Sequence, residues 1–214
     1  MSSPIVRPAR EDDAPFIGWA ILAATRSHMP RGWFDIALGL DEDGCLEFTR
    51  TLVRAETRSW WHYSNFLIAE IRGAPAAALC AFRAGDGYPL SQAAMNEVTE
   101  RLGWGEAEIG AMWARSAYLF TCTIDADDDV WVLENMATRV EHRGCGHASA
   151  LIDRALDLGR MRGFQDAQLS LFIGNLAARR TYERAGFRLA EEKRSAEFER
   201  ACGAPGLWCL RRTL

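Results

Sequence analysis

Two glycines separated by one cysteine, in Arg143-Gly144-Cys145-Gly146-His147-Ala148, run straight into a stretch whose apolar residues recur at helical spacing. A backbone that bare can close on a ligand. The first N–H groups of a helix have no intrahelical partner, so such a junction can hold an anion through main-chain donors and the helix dipole. The same residues also suit a tight turn with no chemistry. Two common phosphate loops are excluded by the spacing. A dinucleotide fingerprint needs a further glycine where Ser149 stands, and a P-loop needs a Gly-Lys-Ser/Thr that does not follow. Upstream, Glu134 puts a carboxylate between Leu133 and Asn135 inside an apolar run. It is either a group that takes a proton from a substrate or a strand residue facing a solvated edge.

The elements that must carry these residues can be read from periodicity. "VWVLENMATRV" (130–140) reads as a strand entering the glycine loop. Ala148, Leu151, Ile152, Ala155 and Leu156 fall on one helical face, so 147–162 is expected to be an amphipathic helix closed by Gly163. "AQLSLF" (167–172) reads as the next strand. Asn175 is placed to cap "LAARRTYERA", and Gly186 to end it. "FRLAEEKR" and "GLWCLRRTL" close the chain as strands. Earlier, "PIVRPA" (4–9) reads as a strand, 10–29 as a helix broken by Pro30-Arg31-Gly32, and about 44–56 as a second helix. "NFLIAEI" and "AAALCAF" around Arg72-Gly73-Ala74-Pro75 form a hairpin. Residues 83–130 interrupt this rhythm with two helix-like stretches, 91–104 and 106–120, and the acidic "DADDD".

Bulk properties set the class. A chain of 214 residues with 49% hydrophobic and 25% charged residues can bury a sizeable core, and is expected to be one domain, 1–214, with an elaboration. A net charge of -4 argues against a general nucleic-acid binder. Residues 1–10 have no apolar signal core and no long apolar run follows, so the expectation is a cytoplasmic protein without a membrane partner. The six cysteines show neither paired nor metal-ligand spacing, which points to no disulfide framework and no metal. Charge is uneven along the chain: 139–188 holds nine arginines against five acids, whereas 83–130 holds three arginines against nine acids. The first segment suits an anion and the second a cation.

The glycine stretch resembles the signature of GNAT-superfamily acyltransferases, Arg/Gln-x-x-Gly-x-Gly/Ala at a strand-to-helix junction, with Arg143, Gly146 and Ala148 in the specified positions. A second element of that family is similar too: Asn175-x-x-Ala178, then Tyr182, then Gly186-Phe187. The resemblance covers about 130–190. It implies an α/β fold of the GNAT type: three layers, a mixed, mostly antiparallel sheet flanked by helices, here with a helical insertion at about 83–130. It implies acetyl-CoA as co-substrate, its pyrophosphate cradled by Arg143, Gly144, Cys145, Gly146, His147 and Ala148. The backbone of Thr138, Arg139 and Val140 would pair with the pantetheine arm, with Asn175, Ala178 and Arg179 also on the cofactor. The signature strand would splay from its parallel neighbour to admit the thioester. A homodimer is compatible with the family.

Acyl transfer to an amine needs a group to receive the amine proton and one to protonate the departing thiolate. The resemblance places Tyr182 as the acid, against a tyrosine that only packs under the cofactor. Glu134 is the candidate base, with a water-mediated base as the rival. Cys145 lacks a histidine partner, so direct attack in a ternary complex is favoured over a covalent intermediate. The acceptor, a small-molecule amine or a peptide amine, is expected against the first helices and the insertion, with His28, Trp33, Phe34 and Trp113 as contacts. Two other functions fit the same residues: a non-catalytic acyl-CoA binder or sensor, and a protein lysine or N-terminal acetyltransferase.

Overall fold

A computed structural model describes residues 4–214. Among these residues, short runs bounded by turn residues, apolar except for a charged edge strand, form seven strands: β1 (Ile5–Pro8), β2 (Phe66–Ile71), β3 (Ala74–Arg83), β4 (Trp131–Thr138), β5 (Asp166–Phe172), the charged β6 (Arg188–Arg194) and β7 (Gly206–Thr213). They make one sheet in the order β1-β2-β3-β4-β5-β7-β6. Every neighbouring pair is antiparallel except β4 and β5. The β2–β3 hairpin is tighter than the sequence suggested. Only Arg72 and Gly73 turn, at φ 50° and 82°, and Ala74 and Pro75 already pair with β2.

Two irregularities of β4 matter most. Its parallel pairing with β5 covers only Trp131↔Ala167 and Val132↔Gln168, and beyond those residues the strands part. On its other side, Cys80 faces Glu134 while Ala78 faces Ala137, so two residues of β4, Asn135 and Met136, are set against Leu79 alone of β3. The extra residue makes a β-bulge, with Asn135 in the left-handed region at φ 50°. Asparagine tolerates that conformation better than the branched residues that favour strands. The result is a gap in the middle of the sheet with re-aimed side chains along one wall.

Helices cover both faces. On one side lie α1 (Ala14–Arg26), α2 (Trp33–Leu38) and α3 (Glu42–Val53), joined by the insertion's α4 (Ala84–Gly87), α5 (Ser91–Arg101) and α6 (Glu106–Ser116). On the other lie α7 (His147–Met161) and α8 (Leu176–Arg184). The apolar stripe of α7 is buried against β2, β3 and β4 through Leu151, Ile152, Ala155 and Leu156. Each buried Leu or Ile contributes about 1.5–3 kcal/mol, which fixes the helix carrying the glycine loop to the sheet. Three helices among the described residues were not legible in the sequence: α2, α4 and α9 (Ala196–Cys202). All three are under two turns long, too short to display a period. α2 is held instead by Asp35, whose carboxylate accepts from Gly32 N at 2.8 Å and from Arg26 at 2.7 Å. Among the described residues no helix is long and apolar enough to cross a membrane.

Candidate active site

The bare loop leaves β4 through a short 3-10 turn, Val140–His142, and enters α7 at His147. Gly144 and Gly146 have φ of +74° and +82°, and a Cβ on either would meet nothing within 4 Å. These positions need glycine for backbone conformation, and the space above them is open. The first main-chain bond of α7 runs from Ala150 N to Gly146 O at 3.0 Å. The N–H groups of residues 144–149 make no backbone hydrogen bond and are free to donate to an anion. Arg143 folds back onto the strand end, its Nε donating to Thr138 O at 3.3 Å.

A cavity of about 650 Å³ lies over these donors. Of the residues expected to hold the cofactor, Thr138, Arg143, Gly144, Gly146, His147, Ala148, Asn175 and Ala178 line it. The side chains of the others lie outside it, although for Arg139 and Val140 the expectation concerned the backbone. The Arg139 guanidinium stacks over Trp19 at 4.4 Å, and Val140 is 73% exposed on the surface. Cys145 is exposed at the loop tip, and Arg179 lies over Trp208 at 4.6 Å while pairing with Glu183. The sequence reading missed Ala177, Thr181 and Arg184 on α8, which line the cavity with Ala178. They share one helical face, and counting from the Asn175 cap would have found them. Asn175 caps α8 through Ala178 N→Oδ1 at 3.1 Å, and its Nδ2 donates to Ser27 Oγ at 2.8 Å. That bond ties the end of α1 to the start of α8.

A second cavity, about 220 Å³, occupies the gap between the parted strands. Ala24, Ser27, Met136, Asn175 and Ala178 border both cavities, so the two meet there. Glu134, Asn135, Ser170, Tyr182, Trp33 and Trp60 are among its walls. The environment of Glu134 has little to solvate a charge. Burial pushes its carboxyl up to about 7, against the smaller opposing effects of hydrogen bonds from Tyr88 and from the Asn135 backbone. Tyr182 is buried, its ring edge-on to Phe187 at 6.0 Å. Burial first, and then the Glu134 charge, raise its phenol well above the ordinary value. Asn135 is buried with no partner for Nδ2, which leaves an unused donor in the wall.

The acceptor contacts read from sequence separate in space. Trp33 borders the smaller cavity. Phe34 has no exposed surface and packs against Phe48 and Trp61, so it belongs to the core, a correction to its assignment as a substrate contact. Trp113 packs on the same core from α6 and borders neither cavity, which removes it as well. His28 is exposed and lines the larger, loop-side cavity instead of the smaller one. The residue nobody would choose from sequence is Tyr88, whose hydroxyl donates to Glu134 Oε1 at 3.3 Å from within the insertion. Trp60, on the cavity wall, donates from Nε1 to Ser91 Oγ at 3.0 Å, a second tie to the insertion.

Proton-accepting and proton-donating groups thus share one small cavity, and a wall of free N–H donors lies next to it. Comparison with known proteins shows the family and the fold. The model of the acetyltransferase (GNAT) family matches residues 37–187. No curated protein matches the chain in sequence. Among solved structures, an acetyltransferase is similar at TM-score 0.71 and 18% identity, covering 98% of each chain. An N-acetyltransferase from Staphylococcus aureus Mu50 is similar at TM-score 0.70 and 20% identity, over 97% of this chain and 100% of that one. A Drosophila melanogaster polyamine N-acetyltransferase, which catalyses formation of N-acetylagmatine, is similar at TM-score 0.56 and 14% identity, over 99% and 100%. The parted sheet, the glycine loop and the family match together identify the chain as an acetyltransferase belonging to the GNAT family.

Proposed function

We propose that this enzyme transfers an acetyl group from acetyl-CoA to a small primary amine by direct attack in a ternary complex. The observation that carries the reading is the pairing of Glu134 and Tyr182 in one cavity at the point where β4 and β5 part. The residues fit the co-substrate. Free N–H donors of 144–149 and the Arg184 side chain suit a pyrophosphate, and the gap between the strands suits an extended thioester arm. Glu134 takes the proton as the amine nitrogen bonds to the carbonyl carbon. Tyr182 donates its proton to the sulfur as the carbon–sulfur bond breaks. A carboxyl with a pKa of about 7 is half ionised at neutral pH, which is where a general base works best. Similar folds that act on agmatine are consistent with a small amine as the acceptor.

Calorimetric titration with acetyl-CoA, followed by a panel of primary amines, tests this function directly. Gly146→Glu places a carboxylate among the N–H donors and adds about 1–2 kcal/mol of strain at a left-handed position. Binding of acetyl-CoA and of adenosine 3′,5′-bisphosphate is expected to fall by at least ~10²-fold, with cooperative unfolding retained. Unchanged affinity would remove the loop from the cofactor site. Tight binding with no turnover on any amine would leave a non-catalytic binder.

A further inference from the structure

We propose that Tyr88, delivered by the 83–130 insertion, is the positioning residue for the Glu134 base, its hydroxyl donating to Oε1 and holding the carboxylate ready to take the amine proton. This rests on the reading of Glu134 as base given above.

The local chain is built to put a phenol there. β3 ends at Arg83, and the insertion folds back at once through α4. Ala84 N donates to Val130 O at 3.1 Å and Gly85 N to Asp128 O at 3.0 Å, which clamps the two ends of the insertion together. Arg83 bridges Asp86 at 2.8 Å and Asp129 at 2.6 Å across the same clamp. At Gly87 a Cβ would lie 2.4 Å from Phe82 Cδ2 and 2.8 Å from Trp60 Cβ. Only glycine lets the backbone pass that close, and the next residue is Tyr88. Its ring then stands edge-on to Phe82 at 5.0 Å and to Trp60 at 5.6 Å. Three residues later Ser91 accepts from the Trp60 indole. The insertion therefore reaches the acceptor side of the gap through its first residues, with its helices packed behind them.

The donor matters because little else supports the charge. Facing Glu134 are Cys80, its register partner on β3, together with Cys209 on β7, Tyr182 on α8 and Tyr88 itself. Burial raises the pKa of every one of these groups, so they stay neutral while Glu134 titrates. Among the described residues Tyr88 makes the only side-chain hydrogen bond to the carboxylate. A hydrogen bond to the charged form favours that form. A carboxylate oxygen has further lone pairs, so this bond does not block proton uptake.

The test compares wild type, Tyr88→Phe, Gly87→Ala and Glu134→Gln from mildly acidic to mildly alkaline pH. In Tyr88→Phe the rising limb of kcat/KM should move to higher pH by about one unit, with KM for acetyl-CoA unchanged. That is a loss of about 5-fold at pH 7, approaching 10-fold in mild acid and recovered in alkali. Gly87→Ala keeps the phenol but displaces it, and should move the limb the same way. The protonated carbonyl infrared band of Glu134, taken against Glu134→Gln as baseline, follows the titration without turnover and should show the same shift. A limb and band that superimpose on wild type in Tyr88→Phe would overturn the proposal, as would a uniform loss at every pH. If the limb survives in Glu134→Gln, the base itself is misassigned, whatever Tyr88 does to the band.

Discussion

Glu134→Gln is expected to make the enzyme slower and more stable at once. Both effects come from the same burial. Its carboxyl holds a proton to about pH 7 in the folded chain, against an ordinary value of 4.5. Between those values the folded state binds more protons than the unfolded one, so stability falls as pH rises through that window. The wild type has therefore lost about 3 kcal/mol by pH 8, at about 1.4 kcal/mol per unit. Glutamine cannot ionise, and its oxygen still accepts from Tyr88. Chemical denaturation should show the variant about 3 kcal/mol more stable at pH 8 and matched to wild type near pH 4.

The activity changes in the opposite sense. A carboxamide cannot receive the amine proton, so kcat/KM should fall about 10²-fold at pH 8, and the rising limb centred near pH 7 should vanish. The residual rate belongs to water acting as base. Full activity in the variant would assign the proton to another group and leave Glu134 as a half-buried carboxyl with no role in the chemistry. A stability gain without an activity loss would separate the two consequences and sink only the catalytic one.

How much of this could be read from the chain depended on range. The glycine loop, the α7 stripe and the Asn175 cap are local patterns: main-chain geometry and helix period are written in consecutive residues. Six of the seven strands were legible for the same reason, each a short apolar run between turn residues, and the charged β6 was bounded by Gly186 and the turn before α9. What stayed hidden is set by register and by packing between distant segments. The bulge at Asn135 exists only because β3 and β4 pair out of step, and neither strand announces it alone. Phe34 and Trp113 carry the composition of an aromatic pocket, yet the tertiary fold turns both into the core around Phe48 and Trp61. Tyr88 sits 46 residues from Glu134 in a segment whose acids dominated its reading. A close approach such as Gly87 on Phe82 leaves no trace in a single sequence except an unremarked glycine.

Tyr182→Phe should lower kcat about 10²-fold while leaving acetyl-CoA affinity within about twofold, because the ring keeps its packing on Phe187 and only the donated proton is lost. The burial that raises the phenol's pKa also keeps it protonated well past neutral pH, so no falling limb from Tyr182 is expected below about pH 10. A raised pKa makes the phenol a weak acid toward a thiol of ordinary pKa near ~8.5, and the transfer must therefore accompany carbon–sulfur cleavage and cannot precede it. That requirement supplies the sharper test. With an aryl thioester, whose thiolate departs without a proton, the wild type and the variant should turn over at nearly equal rates. With acetyl-CoA they should differ by the full factor. An equal deficit on both donors would mean that the hydroxyl positions the thioester and does not protonate it. Equal rates on both would leave Tyr182 as a packing residue beneath the gap.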